Sequence, residues 1–360
     1  MDLDVLVIGG VGIDTIVRVP SLPLPPGETI HVDPVESYVG HTGHGVALGC
    51  QRLGLDTALV DVIGDDAEGE RIRRTYADLG LPLAYGVHPT GTRRSVNLVS
   101  PDGNRLSLYD GRHPMGMEVH PDLWRPGIRL TRHVHLSIMD FARQALPDLA
   151  AADCTMSTDL HDWDGKDEFH RDFARAADLV FVSSSELPED AVEWIFANGR
   201  AQAVITMAGA EGSHLHVAGE KPVHIPAVEL PDRPVVDTNG AGDAYVAAFL
   251  TTWLDGRSYR EAAAAGSIAG AWACGSPGTH TDLITAEQLM TLQLAGVSNA
   301  APRPASAVRP STEEPREPGP AEPSPAEPSP ADSEDRRPGH GQHNRGRADS
   351  GKRRSRRRRG

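Results

Sequence analysis

The residues with the clearest chemistry lie in one short segment, 236–244, which reads VDTNGAGDA. Gly240, Ala241 and Gly242 leave their backbone amides open, and the alanine-rich sequence that follows predicts a helix beginning there. A helix N-terminus binds anions through unpaired N–H groups and the positive end of its dipole. Asp243 lies one residue further on, where a carboxylate can accept the proton of an attacking hydroxyl. The segment predicts phosphoryl transfer with Asp243 as catalytic base; the alternative is a tight loop with Asp243 as a helix cap.

Buried strands and helices alternate along most of the chain and would position this segment. Asp2–Ile8 and Thr57–Ile63 are apolar runs typical of buried strands, and a capped helix is expected from Asp65 to Gly80. Further strands are expected at 29–32, 133–138, 154–160, 179–182 and 203–207, further helices at 242–254, 260–274 and 287–294, and a glycine- and histidine-rich turn at 40–45 before a short helix ending near Gly54. This alternation predicts a mostly parallel sheet with helices on both faces.

Two segments, 15–40 and 92–110, are rich in β-strand signals and do not fit this alternation. In the second segment, strand-like residues 95–98 and 106–109 flank Pro-Asp-Gly-Asn at 101–104, which is a strong hairpin signal. We therefore expect the two segments to form a small β-sheet attached to the α/β body.

Composition separates this body from a C-terminal tail. Residues 299–360 are dense in proline and end in an arginine run, so they cannot bury enough apolar area to fold. We expect 1–298 to form the folded domain and 299–360 to be disordered. The net charge from residue 301 on is +5, which leaves −20 for the rest. An acidic body repels nucleic acid, so only the basic tail is a candidate for binding nucleic acid or a membrane, and a solvated tail is the simpler interpretation.

Other protein classes find little support. No apolar run reaches the roughly 18 residues that a membrane-spanning helix needs. The first residues carry two aspartates and no basic residue, unlike a secretory signal, so we expect a cytoplasmic protein. The three cysteines are far apart and show neither metal-ligand spacing nor a disulfide framework, which predicts reduced thiols.

Several weaker motifs are set aside. Gly10-Val11-Gly12 follows a strand, but Thr15 and the prolines from Pro20 on argue against a dinucleotide-binding helix. No Gly-x-x-x-x-Gly-Lys-Ser/Thr motif occurs. The pair His41 and His44 and the pair His133 and His135 lack a third metal ligand at suitable spacing, and we expect the second pair to lie on opposite faces of a strand.

Taken together, the motifs resemble those of the ribokinase-like (phosphofructokinase-B-type) carbohydrate kinase family over about residues 3–295. Besides 236–244, residues 6–14, 22–30, 52–54 and 62–69 resemble, in the same order, stretches of that family. The resemblance implies a three-layer α/β/α sandwich with a mostly parallel central sheet. The small β-sheet would then be a lid over the substrate, and we further expect a homodimer through this lid.

The resemblance also implies roles for individual residues. It implies substrate contacts for Asp14, Gly40, His41 and Gly45, ATP binding for Thr206, Gly209 and Gly212, contacts to the ATP phosphates for Gly240, Ala241 and Gly242, and help in holding Mg²⁺ for Glu186. The implied cofactors are ATP and Mg²⁺, and the family often uses a monovalent cation beside the segment at Asp237. Residues 275–280 lie where the family closes over adenine.

This chain departs from the family pattern at three places. Where the family has Gly-Gly-x-x-x-Asn, this chain has Gly40, then His41 in place of the second glycine and Gly45 in place of the asparagine. Where the family has Asn-x-x-Glu, Ser183 replaces the asparagine and the glutamate is kept. Met207 stands where a threonine is usual. The sequence therefore predicts an ATP-dependent kinase for a hydroxyl of a sugar or sugar-like small molecule. The alternatives are a nucleoside kinase and a non-catalytic, ligand-binding regulator on the same fold.

Overall fold

The first strand shows how the body is layered. Val5 and Val7 point into one apolar core and Leu6 and Ile8 into another, because side chains alternate across a strand. A strand buried on both faces is typical of a parallel sheet between two helical layers. The structure is a computed structural model that describes residues 2–101 and 105–297.

The described residues contain strands from two sheets. In chain order the strands are β1 (Leu3–Ile8), β2 (Gly12–Arg18), β3 (Glu36–Gly40), β4 (Thr57–Gly64), β5 (Leu83–His88), β6 (Arg94–Val99), β7 (Arg105–Asp110), β8 (Thr131–Leu136), β9 (Thr155–Asp159), β10 (Leu179–Ser183), β11 (Ala203–Met207), β12 (Ser213–Val217) and β13 (Val223–Ile225). The central sheet has the order β13-β12-β11-β10-β9-β8-β1-β4-β5, and its pairs are parallel except where β12 meets β11 and β13. The expected mostly parallel central sheet is confirmed.

Helices cover both faces of this sheet. They are α1 (Thr42–Arg52), α2 (Ala67–Leu79), α3 (Arg125–Ile128), α4 (Leu146–Ala150), α5 (Glu168–Ala176), α6 (Ala191–Asn198), α7 (Ala241–Leu254), α8 (Tyr259–Ala273) and α9 (Ala286–Leu294). Helices α1, α2 and α7 to α9 bury their apolar residues in the core that contains Val5, and α3 to α6 in the core that contains Leu6. The three-layer α/β/α sandwich is confirmed.

The second sheet, which we call the lid, has the order β3-β2-β6-β7. Strands β2 and β6 are parallel, and the outer pairs are antiparallel. The register places Asp14 of β2 opposite Ser95 of β6, so these two side chains share a face. The expected hairpin corresponds to β6 and β7, although residues 102–104 of its turn lie outside the described residues. The small second sheet is confirmed.

Some expectations were wrong. Residues 29–32 form no strand, because they are a short run in a proline-rich stretch, and the lid strand lies at β3 instead. The turn at 40–45 is mostly helix: α1 begins at Thr42, and Gly43 is needed for close packing, since a Cβ there would overlap the carbonyl oxygen of Gly9. Strands β5, β12 and β13 had not been expected.

The two histidines of β8 share one face of the strand, contrary to expectation, because residues two apart along a strand point the same way. Both rings contact Ser157 Oγ, at 2.8 Å for His133 and 2.9 Å for His135. Burial lowers the pKa of His133 to about 3 and that of His135 to about 4. The two histidines are therefore uncharged at neutral pH, and both are hydrogen-bonded to Ser157 in the core.

Two further expectations are only partly covered by the structure. The disordered tail at 299–360 lies outside the described residues and stays a prediction. None of the helices in the described part of the chain is long and apolar enough to cross a membrane.

A buried ion pair joins the lid to the body. The side chains of Asp61 on β4 and Arg93, which precedes β6, are 0% and 3% exposed and contact each other through Oδ1 and Nη2. Asp61 also accepts the N–H groups of Val11 and Val62, both at 2.6 Å, and Arg93 Nη2 donates to the carbonyl of Val11 at 3.3 Å. Val11 lies between β1 of the body and β2 of the lid, so the pair fixes the junction of the two sheets.

Replacing Asp61 by asparagine should destabilise the fold by about 3–5 kcal/mol, because the buried Arg93 loses its counter-charge. Urea-induced unfolding measures the loss. The matched control is Glu70→Gln, which removes the surface pairs with Arg73 and Arg74 and should change stability by less than about 1 kcal/mol. If both variants lose equally little, the Asp61–Arg93 pair does not hold the junction.

Candidate active site

The expected anion pocket lies at the start of α7. Gly240 precedes the helix with φ of 78°, a left-handed conformation that glycine adopts without strain. Within the described residues, the N–H groups of Gly242 and Asp243 donate to no carbonyl, while that of Ala241 reaches the carbonyl of Thr238 at 3.3 Å. Two unpaired amides and the positive end of the helix dipole therefore face the space where an anion would bind.

Asp243 lies in the first turn of α7 and is buried. Its Oδ2 is hydrogen-bonded to Nε2 of His280 at 2.7 Å, whereas its Oδ1 has no partner among the residues described. The His280 side chain is only 1% exposed, so it restrains the rotamer of Asp243. A carboxylate with one oxygen held and the other open is arranged to take a proton from a substrate hydroxyl.

His280 occupies the space beside Gly45. A Cβ on Gly45 would lie 2.6 Å from His280 Cδ2 and 2.7 Å from Asp243 Cβ, closer than real Cβ contacts allow. His280 also has φ of 55°, which a residue with a side chain rarely adopts. Gly45, which stands where the family has an asparagine, therefore leaves a space, and His280 from another loop fills it. The interpretation of residues 275–280 as the adenine cover did not anticipate this contact.

The expected substrate residues Asp14, Gly40 and His41 also meet at this point. Asp14 on β2 accepts the backbone N–H of His41 at 2.9 Å and the hydroxyl of Ser95. Gly40 has no room for a Cβ, because the carboxylate of Asp14 fills that space. Burial alone would raise the pKa of Asp14, but the charge of His41 and the two hydrogen bonds hold it below its usual value. Asp14 is therefore a carboxylate at neutral pH and can accept hydrogen bonds from hydroxyl groups.

His41 is the second buried histidine of the site with a left-handed backbone, at φ of 70°. Burial lowers its pKa, although the charge of Asp14 opposes the shift. Its Nε2 lies 3.3 Å from Asp14 Oδ1 but makes no hydrogen bond to the described part of the protein. Its ring is 5.7 Å from that of Tyr109 on lid strand β7. A buried, unpaired nitrogen at this position is suited to a ligand hydroxyl.

The expected ATP residues lie at the end of β11. Gly209 and Gly212 form a tight turn in which the carbonyl of Gly209 accepts the N–H of Gly212 at 3.0 Å. Thr206 points away from this turn, with its hydroxyl 3.4 Å from His216 Nε2. The side chain of Met207 comes closest to the anion pocket instead, 3.8 Å from the Cβ position of Gly242. The structure therefore places Met207 next to the pocket and Thr206 on the other face of the strand.

Glu186 lies in the loop after β10 and is exposed. Ser183 at the end of β10 shares a 3.0 Å hydroxyl contact with Ser185, so three oxygen-bearing side chains are close in sequence here. No group of three or more His, Cys, Asp or Glu residues in the described ranges is arranged to hold a metal ion. One carboxylate with hydroxyl groups nevertheless fits Mg²⁺, which is usually bound by one or two carboxylates together with substrate phosphates and water.

Two lid arginines that the sequence did not single out reach the loop that precedes the anion pocket. Arg18 at the end of β2 contacts Asp237 Oδ2 through Nη2 at 2.7 Å. Arg105 at the start of β7 donates to Asn239 Oδ1 at 2.9 Å. Neither arginine belongs to a local motif, so no sequence signal could have identified them; each becomes visible only when the lid is placed against the loop 237–240.

The comparisons with known proteins agree with this geometry. A model of the pfkB family of carbohydrate kinases matches residues 2–123 and 140–286. The chain is 43% identical over 290 residues to acarbose 7(IV)-phosphotransferase of Actinoplanes sp., which covers 80% of this chain and 97% of that protein.

Solved structures extend the same comparison. A microbiome-derived acarbose kinase superposes with a TM-score of 0.78 at 52% identity, covering 82% of this chain and 100% of the other. Arabidopsis thaliana ribokinase, solved with ribose and ATP, superposes with a TM-score of 0.68 at 23% identity, covering 81% of this chain and 99% of that one, which supports the fold. The resemblance read from the sequence is confirmed: the chain belongs to the pfkB family of carbohydrate kinases and is an ATP-dependent sugar kinase.

Proposed function

We propose that this kinase transfers the γ-phosphoryl group of ATP to a hydroxyl of acarbose or a closely similar compound. The observation that carries the proposal is the match to an acarbose phosphotransferase and to an acarbose kinase. The match covers almost the full length of each of these two relatives. A nucleoside acceptor is the alternative within the same chemistry, and a non-catalytic regulator is the alternative outside it. Since the donor is ATP, we place the reaction in the cytoplasm.

Asp243 is the catalytic base in this proposal. Its open Oδ1 accepts the proton of the acceptor hydroxyl as that oxygen attacks the γ-phosphorus, while His280 holds Oδ2 and the carboxylate orientation. The unpaired N–H groups of Gly242 and Asp243 and the dipole of α7 stabilise the charge that develops on the transferred group. Gly240 and Ala241 shape this pocket, and Gly209 and Gly212 line its nucleotide side.

The acceptor is held from the lid side. Asp14, as a carboxylate, accepts hydrogen bonds from acceptor hydroxyls, and the unpaired Nε2 of His41 makes a further one. Both groups are buried, so an acceptor that leaves either one unpaired would bind poorly, which gives selectivity. Gly45 and Gly40 contribute by leaving space for His280 and Asp14.

Mg²⁺ would be held by Glu186 with the hydroxyl of Ser183 and the ATP phosphates. The ion supplies charge neutralisation on the phosphates when bound. Glu186 is exposed and carries no ion pair within the described ranges, so it is free to bind the hydrated ion directly or through water.

The purified enzyme should consume ATP with acarbose at least about tenfold more efficiently, in kcat/KM, than with ribose, fructose or adenosine. ADP release measures turnover, and mass spectrometry identifies the phosphorylated product. Asp243→Asn is the matched inactive control and should lose about 10²–10⁴-fold in rate while retaining its fold and ATP binding. A preference for adenosine would favour the nucleoside kinase, and ATP binding without turnover of any acceptor would favour the regulator.

Gly45→Asn should lower kcat/KM for the acceptor by about 10²-fold, because its side chain displaces His280 and Asp243 from their positions. His280→Ala should relieve part of this conflict, so the double variant should be more active than the product of the two single effects predicts. Gly86→Ala is the control, since its Cβ would meet only ordinary contacts at 3.5 Å or more. Steady-state kinetics of the four variants measure the coupling, and strictly independent effects would contradict the placement of His280 in the asparagine's space.

We also propose that the enzyme forms a homodimer through the lid. The lid face opposite Asp14 carries an apolar patch, and the edge strand β7 exposes Leu106 and Leu108 by 49% and 54%. By strand alternation this face also includes Val17, Val96 and Leu98. An exposed apolar edge strand is normally covered in a native assembly.

Leu108→Lys should therefore convert the dimer to a monomer, because a charge at the centre of the paired lids would be buried. Val87→Lys is the control, since Val87 is 53% exposed and lies on β5, an edge strand of the central sheet, outside the lid. Sedimentation velocity gives the mass of both variants. A monomeric wild-type protein at micromolar concentration would exclude the lid dimer.

A further inference from the structure

The carboxylate of Asp237, directly before the anion pocket, is fully buried and fully engaged. Its Oδ1 accepts the backbone N–H of Asn239 at 3.0 Å and the side-chain Nδ2–H of the same residue at 2.7 Å. Its Oδ2 accepts Nη2 of Arg18 at 2.7 Å and the backbone N–H of Gly278 at 3.3 Å. A carboxylate offers about four lone-pair sites. The donors of this chain therefore use all of them.

Two carbonyl groups near this carboxylate are also in use. Cys274 O accepts the N–H groups of Val236 and Asp237, at 2.7 and 3.1 Å. Pro277 O accepts the hydroxyl of Thr281 at 2.8 Å. A dehydrated K⁺ needs oxygen ligands in place of its lost water. Here both oxygens of Asp237 and the carbonyls of Cys274 and Pro277 already accept hydrogen bonds. The guanidinium of Arg18 would in addition repel a second cation at this carboxylate. A free monovalent cation beside Asp237 does not fit this structure.

We propose that the guanidinium of Arg18 takes the place of such a cation and makes the kinase independent of K⁺. A guanidinium is permanently charged and weakly hydrated, so it suits a carboxylate that is removed from water. The Arg18 side chain keeps 35% of its surface exposed, which limits the cost of desolvating it.

Arg18 acts on ATP through Asp237. An unneutralised carboxylate beside the open amides of Gly242 and Asp243 would repel the phosphates that those amides bind. Arg18 is thus a positioning residue that holds the loop and cancels its charge. The inference depends on the phosphotransfer chemistry of the proposed function, and it is independent of which acceptor is used.

The first test uses the wild-type enzyme. Initial rates and the KM for ATP are measured in KCl and in tetramethylammonium chloride of equal ionic strength, since the larger ion cannot enter a K⁺ site. We expect equal rates in the two salts, and equal melting temperatures for the protein without substrates. A rate that depends on K⁺ would overturn the proposal.

The second test removes the guanidinium. Arg18→Ala should lose about 10- to 100-fold in kcat/KM for ATP in tetramethylammonium chloride, because a hydrogen bond to a buried charge is lost. KCl should restore part of this loss and should raise the melting temperature of this variant, because K⁺ then binds the native state. Arg18→Lys retains a charge and should stay insensitive to K⁺.

Arg105→Ala is the matched control, because Arg105 also bridges the lid to the loop but contacts the neutral side chain of Asn239. It should lose activity without gaining a response to K⁺. If Arg18→Ala behaves like Arg105→Ala, Arg18 is only a lid contact and the proposal is wrong.

If Arg18→Ala does not fold, the wild-type salt comparison and Arg18→Lys still decide whether the proposal holds. Melting temperatures and the binding of a fluorescent ATP analogue need no acceptor, so they report on Arg18 even if the proposed acceptor is not turned over.

Discussion

The buried pair of Asp61 and Arg93 is the interaction on which the rest of the site depends. Asp14 and His41, which we propose to bind the acceptor, belong to the lid and its edge, whereas Asp243 and His280 belong to the body. Their mutual distances are set by how the two sheets meet, and the sheets meet at Val11, which the pair holds through both its N–H and its carbonyl. Neither charge has water available to it, so the pair has one low-energy geometry, and a shift would leave a charge uncompensated.

The second constraint is volume around Asp243. Gly45 leaves a gap on α1, and the gap is filled by an imidazole that comes from the loop after α8. Filling it requires His280 to adopt a left-handed backbone, which costs conformational energy that the hydrogen bond to Asp243 and the surrounding packing must offset. The same arrangement recurs at His41, whose left-handed backbone lets its N–H reach Asp14. The site thus keeps the carboxylate that we propose as the base and differs from the family pattern in the groups around it.

Local sequence patterns predicted the parts of this molecule that local forces determine. The helix beginning near Gly240, the cap at Asp66 and the left-handed Gly80 are set by neighbouring residues, and each was expected within one or two positions. The contact of His280 with Asp243 and that of Arg18 with Asp237 join residues 37 and 219 positions apart, and no local pattern encodes such pairs. Gly43 shows the opposite error, since its role is close packing against Gly9 rather than the turn that its type indicated.

Charge explains why arginines on the lid matter for a body that carries a net charge of −20 before residue 301. In the proposed function ATP would bring further negative charge close to Asp237 and Asp243, and repulsion would reduce the binding energy from the open amides. Arg18 and Arg105 both sit on lid strands and both reach the loop that leads into α7. The negative charge of this loop is therefore offset only when the lid lies against the body. In this same arrangement Asp243 is only 8% exposed, so water has little access to the carboxylate that we propose as the base.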